Sequence, residues 1–258
     1  KADGRNFTAR LTHLDGKKLA KHDLSDEAMA IAATAKIEAE ALRVADIQTK
    51  RVRENPKPPF TTSTLQQEAS RKLGFSASRT MQVAQKLYEG INIGSETTGL
   101  ITYMRTDSTT LSDTALQAAR TMISERYGKD FLPDAPRHYA TKSKNAQEAH
   151  EAIRPAGDTF RLPAEVAQEV PQSEARAYEL IWQRVVASQM TDCTGETVTL
   201  KLGATAHDGR DVEFAASGTV IAHMGFREVY EETKVQDRDS EDDADERRLP
   251  PLVEGDAA

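Results

Sequence analysis

The hydrophobic period of this chain changes twice along its length, and that limits the folds open to it. From Thr194 onward apolar residues recur at every second position, through Thr197-Val-Thr-Leu-Lys-Leu202, Val212-Glu-Phe-Ala-Ala216 and Thr219-Val-Ile-Ala222, with a turn at His207-Asp-Gly-Arg210. Phe226 and Val229-Tyr230 extend the pattern. The other end alternates too. Phe7, Ala9 and Leu11 precede a hairpin turn at Asp15-Gly16, and Val44, Ile47 and Val52 lie on a second extended piece. Residues 59–190 instead follow a helical period. Two β-patterned ends around a helical middle predict an α+β fold, with a mostly helical domain inserted into a β-rich one.

The helical segments carry their own punctuation. Thr61 to Ser63 cap a helix with Leu65, Ala69 and Leu73 on one face and Gly74 as its stop. Ser76 or Ser78 opens a second, over 81–88, burying Met81, Ala84 and Leu87 or Tyr88 before Gly90. This pair reads either as a helix-turn-helix unit or as a plain helical hairpin. Ser112 caps a helix to Tyr127 that turns Ala115, Leu116, Ala119, Met122 and Ile123 inward, and Gly128 stops it. Pro155 ends a short helix expected over 146–154. A long helix over 173–190 buries Ala177, Leu180, Ile181, Trp182 and Val185, and another is expected over 25–44.

Pro56, Pro58 and Pro59 hold the chain extended and mark a boundary. The expected parts are residues 1–58 and 191–235 for the β domain, 59–190 for the helical one, and 236–258 as a disordered acidic tail. Residues 231–258 hold eleven acids against four bases, which accounts for the whole net charge of −7. The remainder is neutral, which neither supports a nucleic-acid partner nor forbids a local basic groove. The acids at 239–246 read as solvated linker rather than a metal site. A single cysteine, Cys193, excludes an internal disulfide framework or a zinc knuckle. No apolar run is long enough for a bilayer, so a soluble intracellular protein is expected. Because the chain begins at Lys1, it is expected to be a piece of something longer.

Chemistry concentrates at Gly99-Leu-Ile-Thr-Tyr-Met-Arg-Thr-Asp-Ser-Thr-Thr110. A short apolar piece breaks into a run of hydrogen-bonding groups with neither helical nor strand period. If residues 99–104 are extended, Tyr103 and Arg105 point to the same side. A phenol beside a guanidinium suits attack on a phosphodiester, since the cation favours the phenolate, grips phosphate oxygens and stabilises charge building at phosphorus. On spacing alone a half-buried strand tyrosine beside an ordinary surface arginine is the commoner arrangement, because Tyr near Arg is frequent in sheet proteins.

The wording of the sequence adds to this. Ile101-Thr-Tyr-Met-Arg-Thr-Asp-Ser-Thr109 resembles the nucleophile motif of the type IA family of bacterial DNA topoisomerases I. Gln147-Glu-Ala-His-Glu-Ala-Ile-Arg-Pro155 resembles a second motif of that family, and Pro59-Phe-Thr-Thr-Ser-Thr-Leu-Gln-Gln-Glu-Ala69 through Glu89 a third, in the family's order and spacing. The match covers roughly residues 58–190.

The resemblance implies that Tyr103 attacks one strand of negatively supercoiled DNA, forms a 5′-phosphotyrosine and leaves a 3′-OH. The second strand then passes, and the 3′-OH reverses the attack without ATP. Arg105 is implied as phosphate clamp, His150 as a phosphate-contacting helper, and Asp107 as orienting Arg105 or the loop, with an Asx-turn role as its alternative. The flanking β segments are implied to form an arch that opens. Single-stranded and supercoiled DNA are the implied partners of a monomeric, cytoplasmic, nucleoid-associated enzyme.

Departures from the family matter too. Its Mg²⁺ is held by a TOPRIM domain, which is absent from this sequence along with the C-terminal DNA-binding domains, so no cofactor is expected in this chain and the fragment alone is expected to be inactive. Rival readings are a non-catalytic single-stranded DNA-binding or scaffold module with Tyr103 as a stacking platform, or a topoisomerase III-like enzyme, whose motif commonly has Pro where Met104 stands.

Overall fold

The computed structural model describes residues 7–20, 23, 42–93, 96–139, 151–205, 209 and 211–230. In order, these form β1 (Arg10–Leu14), β2 (Lys17–Lys18), β3 (Arg43–Glu54), α1 (Thr62–Leu73), α2 (Ala77–Glu89), β4 (Ile91–Ile93), β5 (Glu96–Thr98), α3 (Asp113–Arg126), α4 (Pro163–Val166), α5 (Gln172–Ser188), β6 (Cys193–Thr205) and β7 (Asp211–His223), with single 3-10 turns at Lys129–Phe131 and Gly225–Glu228. The acidic segment 236–258 and His150 lie outside the described residues. So does most of the helix expected over 25–44, whose last two positions, Arg43 and Val44, instead open β3.

The chain divides into two compact units. One comprises the residues up to Arg53 with Thr194–Ala222. The other comprises Glu54–Cys193 with the residues from His223.

The first unit is built on a sheet of order β2-β1-β7-β6-β3. Asp15 and Gly16 both take positive φ, the geometry a tight hairpin needs, so β1 folds back onto β2. β1 also pairs antiparallel with β7, Leu14 opposite Val212. Val44, Leu200, Leu202 and Ala216 form the core, with Phe7, Ala9, Leu42, Ile47 and Phe214 packed on it. The two extended pieces expected at 212–216 and 219–222 are one strand, because Ser217 and Gly218 continue the ladder rather than breaking it.

The second unit is organised around α5, which touches each of the other four helices. Its sequence explains this. Tyr178, Leu180, Ile181, Trp182, Val185 and Val186 bury most of its circumference rather than a stripe. Thr61 and Thr64 bond reciprocally at the start of α1, and Gly74 ends it in the left-handed conformation. Ser76 caps α2, which buries Thr80, Val83, Ala84 and Leu87 and leaves Tyr88 exposed; of the face read from sequence, Ala84 and Leu87 are inside and Met81 is only half-buried. Phe226 and Tyr230 do not extend the β pattern. Phe226 lies in a 3-10 turn of this helical unit and Tyr230 just after it, where the Tyr230 hydroxyl donates to buried Glu68 at 2.8 Å.

Two expectations near the motifs are overturned. Residues 99–104 form no strand; a single bridge joins Ile101 to Pro155. The short helix expected over 146–154 is extended where it is described. Ile153 bridges Phe60, and the amides of Ala152 and Ile153 go to Thr110 and Phe60 rather than to a helical turn. Main-chain partners elsewhere in the fold win over local helix propensity.

Candidate active site

Residues 99–110 cross the helical unit as an extended strap laid between two other segments. On one side, Leu100 donates its amide to the Leu87 carbonyl at 2.7 Å, at the C-terminal turn of α2. Gly99 permits this approach, because a Cβ there would stand 2.6 Å from the Tyr88 carbonyl oxygen. On the other side runs 151–156. Thr102 gives its amide to the Arg154 carbonyl and its hydroxyl to the Ala152 carbonyl, and accepts the Arg154 amide at 3.0 Å. Ala156 and Ala152 close the pair by donating to Leu100 and Thr110.

Along the strap, burial alternates. Met104, Thr106 and Ser108 are buried, while Tyr103, Arg105 and Asp107 are exposed. The chain bends at Thr102 and Met104, and the alternation leaves all three of these side chains open to solvent on a backbone held by its buried residues. The sequence conceals it because two of the three inward residues carry hydroxyls. Those hydroxyls stand in for a neighbouring strand: Thr106 Oγ1 accepts the Ser108 amide, and Ser108 Oγ accepts the Thr110 amide, each at 3.1 Å. Buried polar groups are thereby satisfied.

Tyr103 is 45% exposed and meets the exposed ring of Tyr88 edge to face, with centroids 5.3 Å apart. The approach by Gly99 positions this second tyrosine, which sequence reading had left as a choice between core and surface. Thr62, at the start of α1, reads in the sequence only as part of a helix cap and of a motif. Its hydroxyl and amide reach the strap on both sides of Arg105.

Glu151 and Arg154 were quoted only as parts of a motif, yet they tie the strap's far end. Arg154 pairs with Glu151 through two nitrogens, at 3.0 and 2.9 Å, and gives Nη1 to the carbonyls of Pro155 and Gly157. Glu151 Oε1 also accepts the amide of Ser112, the cap of α3, at 2.6 Å. Burial pushes the Glu151 carboxyl up, but the bonds from Arg154 and Ser112 outweigh it and hold it below the ordinary carboxylate range. Of the candidates, Tyr103, Arg105 and Asp107 are all exposed along the one strap; His150 lies outside the described residues.

A model of a DNA topoisomerase family matches residues 4–258 of this chain. The chain belongs to the type IA DNA topoisomerase family. It is 52% identical to DNA topoisomerase 1 of Streptomyces coelicolor, over 99% of its own length and 27% of that protein. Against DNA topoisomerase 1 of Xylella fastidiosa it is 48% identical, over 97% of this chain and 31% of the relative. Full-length topoisomerase I of Thermotoga maritima superposes with a TM-score of 0.71 at 31% identity, over 97% of this chain and 37% of that one. The chain therefore spans between a quarter and a third of the length of these curated topoisomerase relatives.

Among the described residues, no group of three or more His, Cys, Asp or Glu could hold a metal ion. Glu151, in the segment paired with the strap, is committed to Arg154 and Ser112. The Mg²⁺ implied for a topoisomerase of this type finds no seat in these residues, and no step is assigned to it. Among the same residues, no helix is long and apolar enough to cross a membrane.

Proposed function

We propose that this chain is the nucleophile-bearing part of an ATP-independent type IA topoisomerase that relaxes negatively supercoiled DNA. The Tyr103 oxygen, its proton removed, attacks a backbone phosphorus. The P–O3′ bond breaks, the 3′ oxygen takes up a proton, and the 5′ phosphate stays esterified to tyrosine. After strand passage the 3′-OH attacks the phosphotyrosine and restores both groups. One phosphodiester replaces another, so bond energy is roughly conserved. Arg105, two positions on and also exposed, holds the phosphate oxygens and stabilises their charge in the transition state. Asp107 orients the arginine, and His150 contacts the phosphate.

The observation that carries this reading is the alternation along the strap, which turns Tyr103 and Arg105 outward on a backbone anchored by its buried residues. The helical unit is then the nucleophile domain, and the sheet unit belongs to the arch that opens for passage. Mg²⁺ is supplied by a TOPRIM domain outside this chain, and the acidic segment is a linker. Single-stranded and supercoiled DNA are the partners, met in the cytoplasm by a monomer.

A denaturation-resistant adduct to the 5′ end of a cleaved strand, formed by a full-length polypeptide carrying this chain and mapped to Tyr103 by mass spectrometry, is the expected result. An adduct on another side chain overturns the proposal. The exposed Tyr88–Tyr103 pair also suits base stacking. A protein that binds single strands with undiminished affinity but forms no adduct would establish that second reading.

A further inference from the structure

Thr62 contributes one hydroxyl, which meets the peptides on both sides of Arg105. Oγ1 donates to the Met104 carbonyl at 2.8 Å and accepts the Thr106 amide at 2.9 Å. It also lies 3.1 Å from the Thr106 carbonyl, which takes the Thr62 amide at 2.9 Å. A hydroxyl has one proton and two lone pairs, and this one spends its proton on the strap and receives a proton from it. The Thr62 amide is in the first turn of α1, where no intrahelical acceptor exists for it, so the helix loses nothing by lending it out.

Arg105 is thus flanked by peptides fixed to the start of a helix, although its own side chain is exposed. The direction of its Cα–Cβ bond follows from where Met104 and Thr106 are held, and Tyr103 is the residue next to Met104 on the same strap. Nothing in the cap of α1 requires this. Thr61 and Thr64 cap the helix between themselves.

We infer that Thr62 is a positioning residue for the cleavage reaction, setting the placement of Tyr103 and Arg105 on a phosphodiester through the backbone. The inference rests on the function proposed above. It is a claim about rate rather than affinity, because a phosphate can be bound loosely but must be attacked in line.

The test uses single-stranded oligonucleotide and a full-length polypeptide carrying this chain, with Tyr103 adduct formation as the readout. Thr62→Val keeps the branched shape and removes both bonds. It is expected to lower the cleavage rate constant by about 10²-fold while the oligonucleotide dissociation constant stays within about threefold. Thr62→Ser restores the hydroxyl and the rate. Thr64→Ala, which weakens the same helix cap without touching the strap, lowers the melting temperature and leaves cleavage intact.

Unchanged cleavage in Thr62→Val overturns the inference, and so do equal losses of binding and cleavage, or losses in Thr62→Val and Thr64→Ala that merely track melting. Should Thr62→Val fail to fold, amide exchange in the parent decides: the Thr106 amide is expected to be protected, and rapid exchange there removes the clamp. Absence of any Tyr103 adduct in the parent overturns the functional reading instead, and is seen before a Thr62 variant is made.

Discussion

At the scale of single residues, two side chains separate chemistry from architecture. Arg105 is exposed, and on the proposed mechanism it acts where charge develops at phosphorus, so Arg105→Ala should reduce cleavage by about 10²-fold or more with a smaller loss of single-strand affinity. Oligonucleotide binding measured alongside single-turnover cleavage checks this, and equal losses would assign Arg105 to binding alone. Glu151 has the opposite character. Its carboxyl is held below the ordinary value in the fold, so it contributes stability above its unfolded pKa and loses that contribution as pH falls through the folded one. Melting curves of the parent and of Glu151→Gln should therefore lie furthest apart near about pH 7 and draw together only as pH falls below the ordinary carboxylate range. A gap independent of pH would mean that the carboxylate's charge is irrelevant.

At the scale of elements, the strap depends on its neighbours more than on itself. Gly99→Ala places a methyl against the Tyr88 carbonyl, a main-chain atom that cannot turn aside. A loss of about 1–3 kcal/mol in unfolding free energy is expected from chemical denaturation, accompanied by slower cleavage as the Tyr88–Tyr103 contact shifts. Helix boundaries were legible because caps are written locally: Thr61, Gly74, Ser76, Gly90 and Ser112 each sit where their conformation and hydrogen bonds require. The strap's period was not legible, since Thr106 and Ser108 are polar residues facing inward and hydropathy counts them as outward. The extended course of 151–155 was hidden for a different reason. Its Ala, Ile and Arg are compatible with a helix, and only partners far along the chain decide against one.

For the molecule as a whole, the change of hydrophobic period foretold a mixture of helix and strand, and the motifs foretold the family. The strongest tertiary ties could not be read. Tyr230, patterned like a strand residue, anchors to Glu68 in α1, and removing its hydroxyl in Tyr230→Phe should cost about 1–3 kcal/mol by leaving a buried carboxylate short of a donor. Equilibrium denaturation measures that loss, and a Tyr230→Phe protein as stable as the parent would show the bond to be dispensable. The 258-residue chain by itself is expected to give no Mg²⁺-dependent nicking of supercoiled plasmid, which gel electrophoresis of the products would show, whereas the full-length polypeptide nicks and relaxes it.

The bonds that tie the strap to Thr62 and to residues 151–156 join positions 42 to 56 apart. No local stretch of the chain can assemble them in advance, and loop closure has to precede any reward from making them. On the function proposed above, Tyr103 is therefore armed late in folding and disarmed early in unfolding. A half-made or thermally damaged copy of the protein would carry an ordinary phenol on a slack tether, so strand cleavage would arrive only with a finished fold.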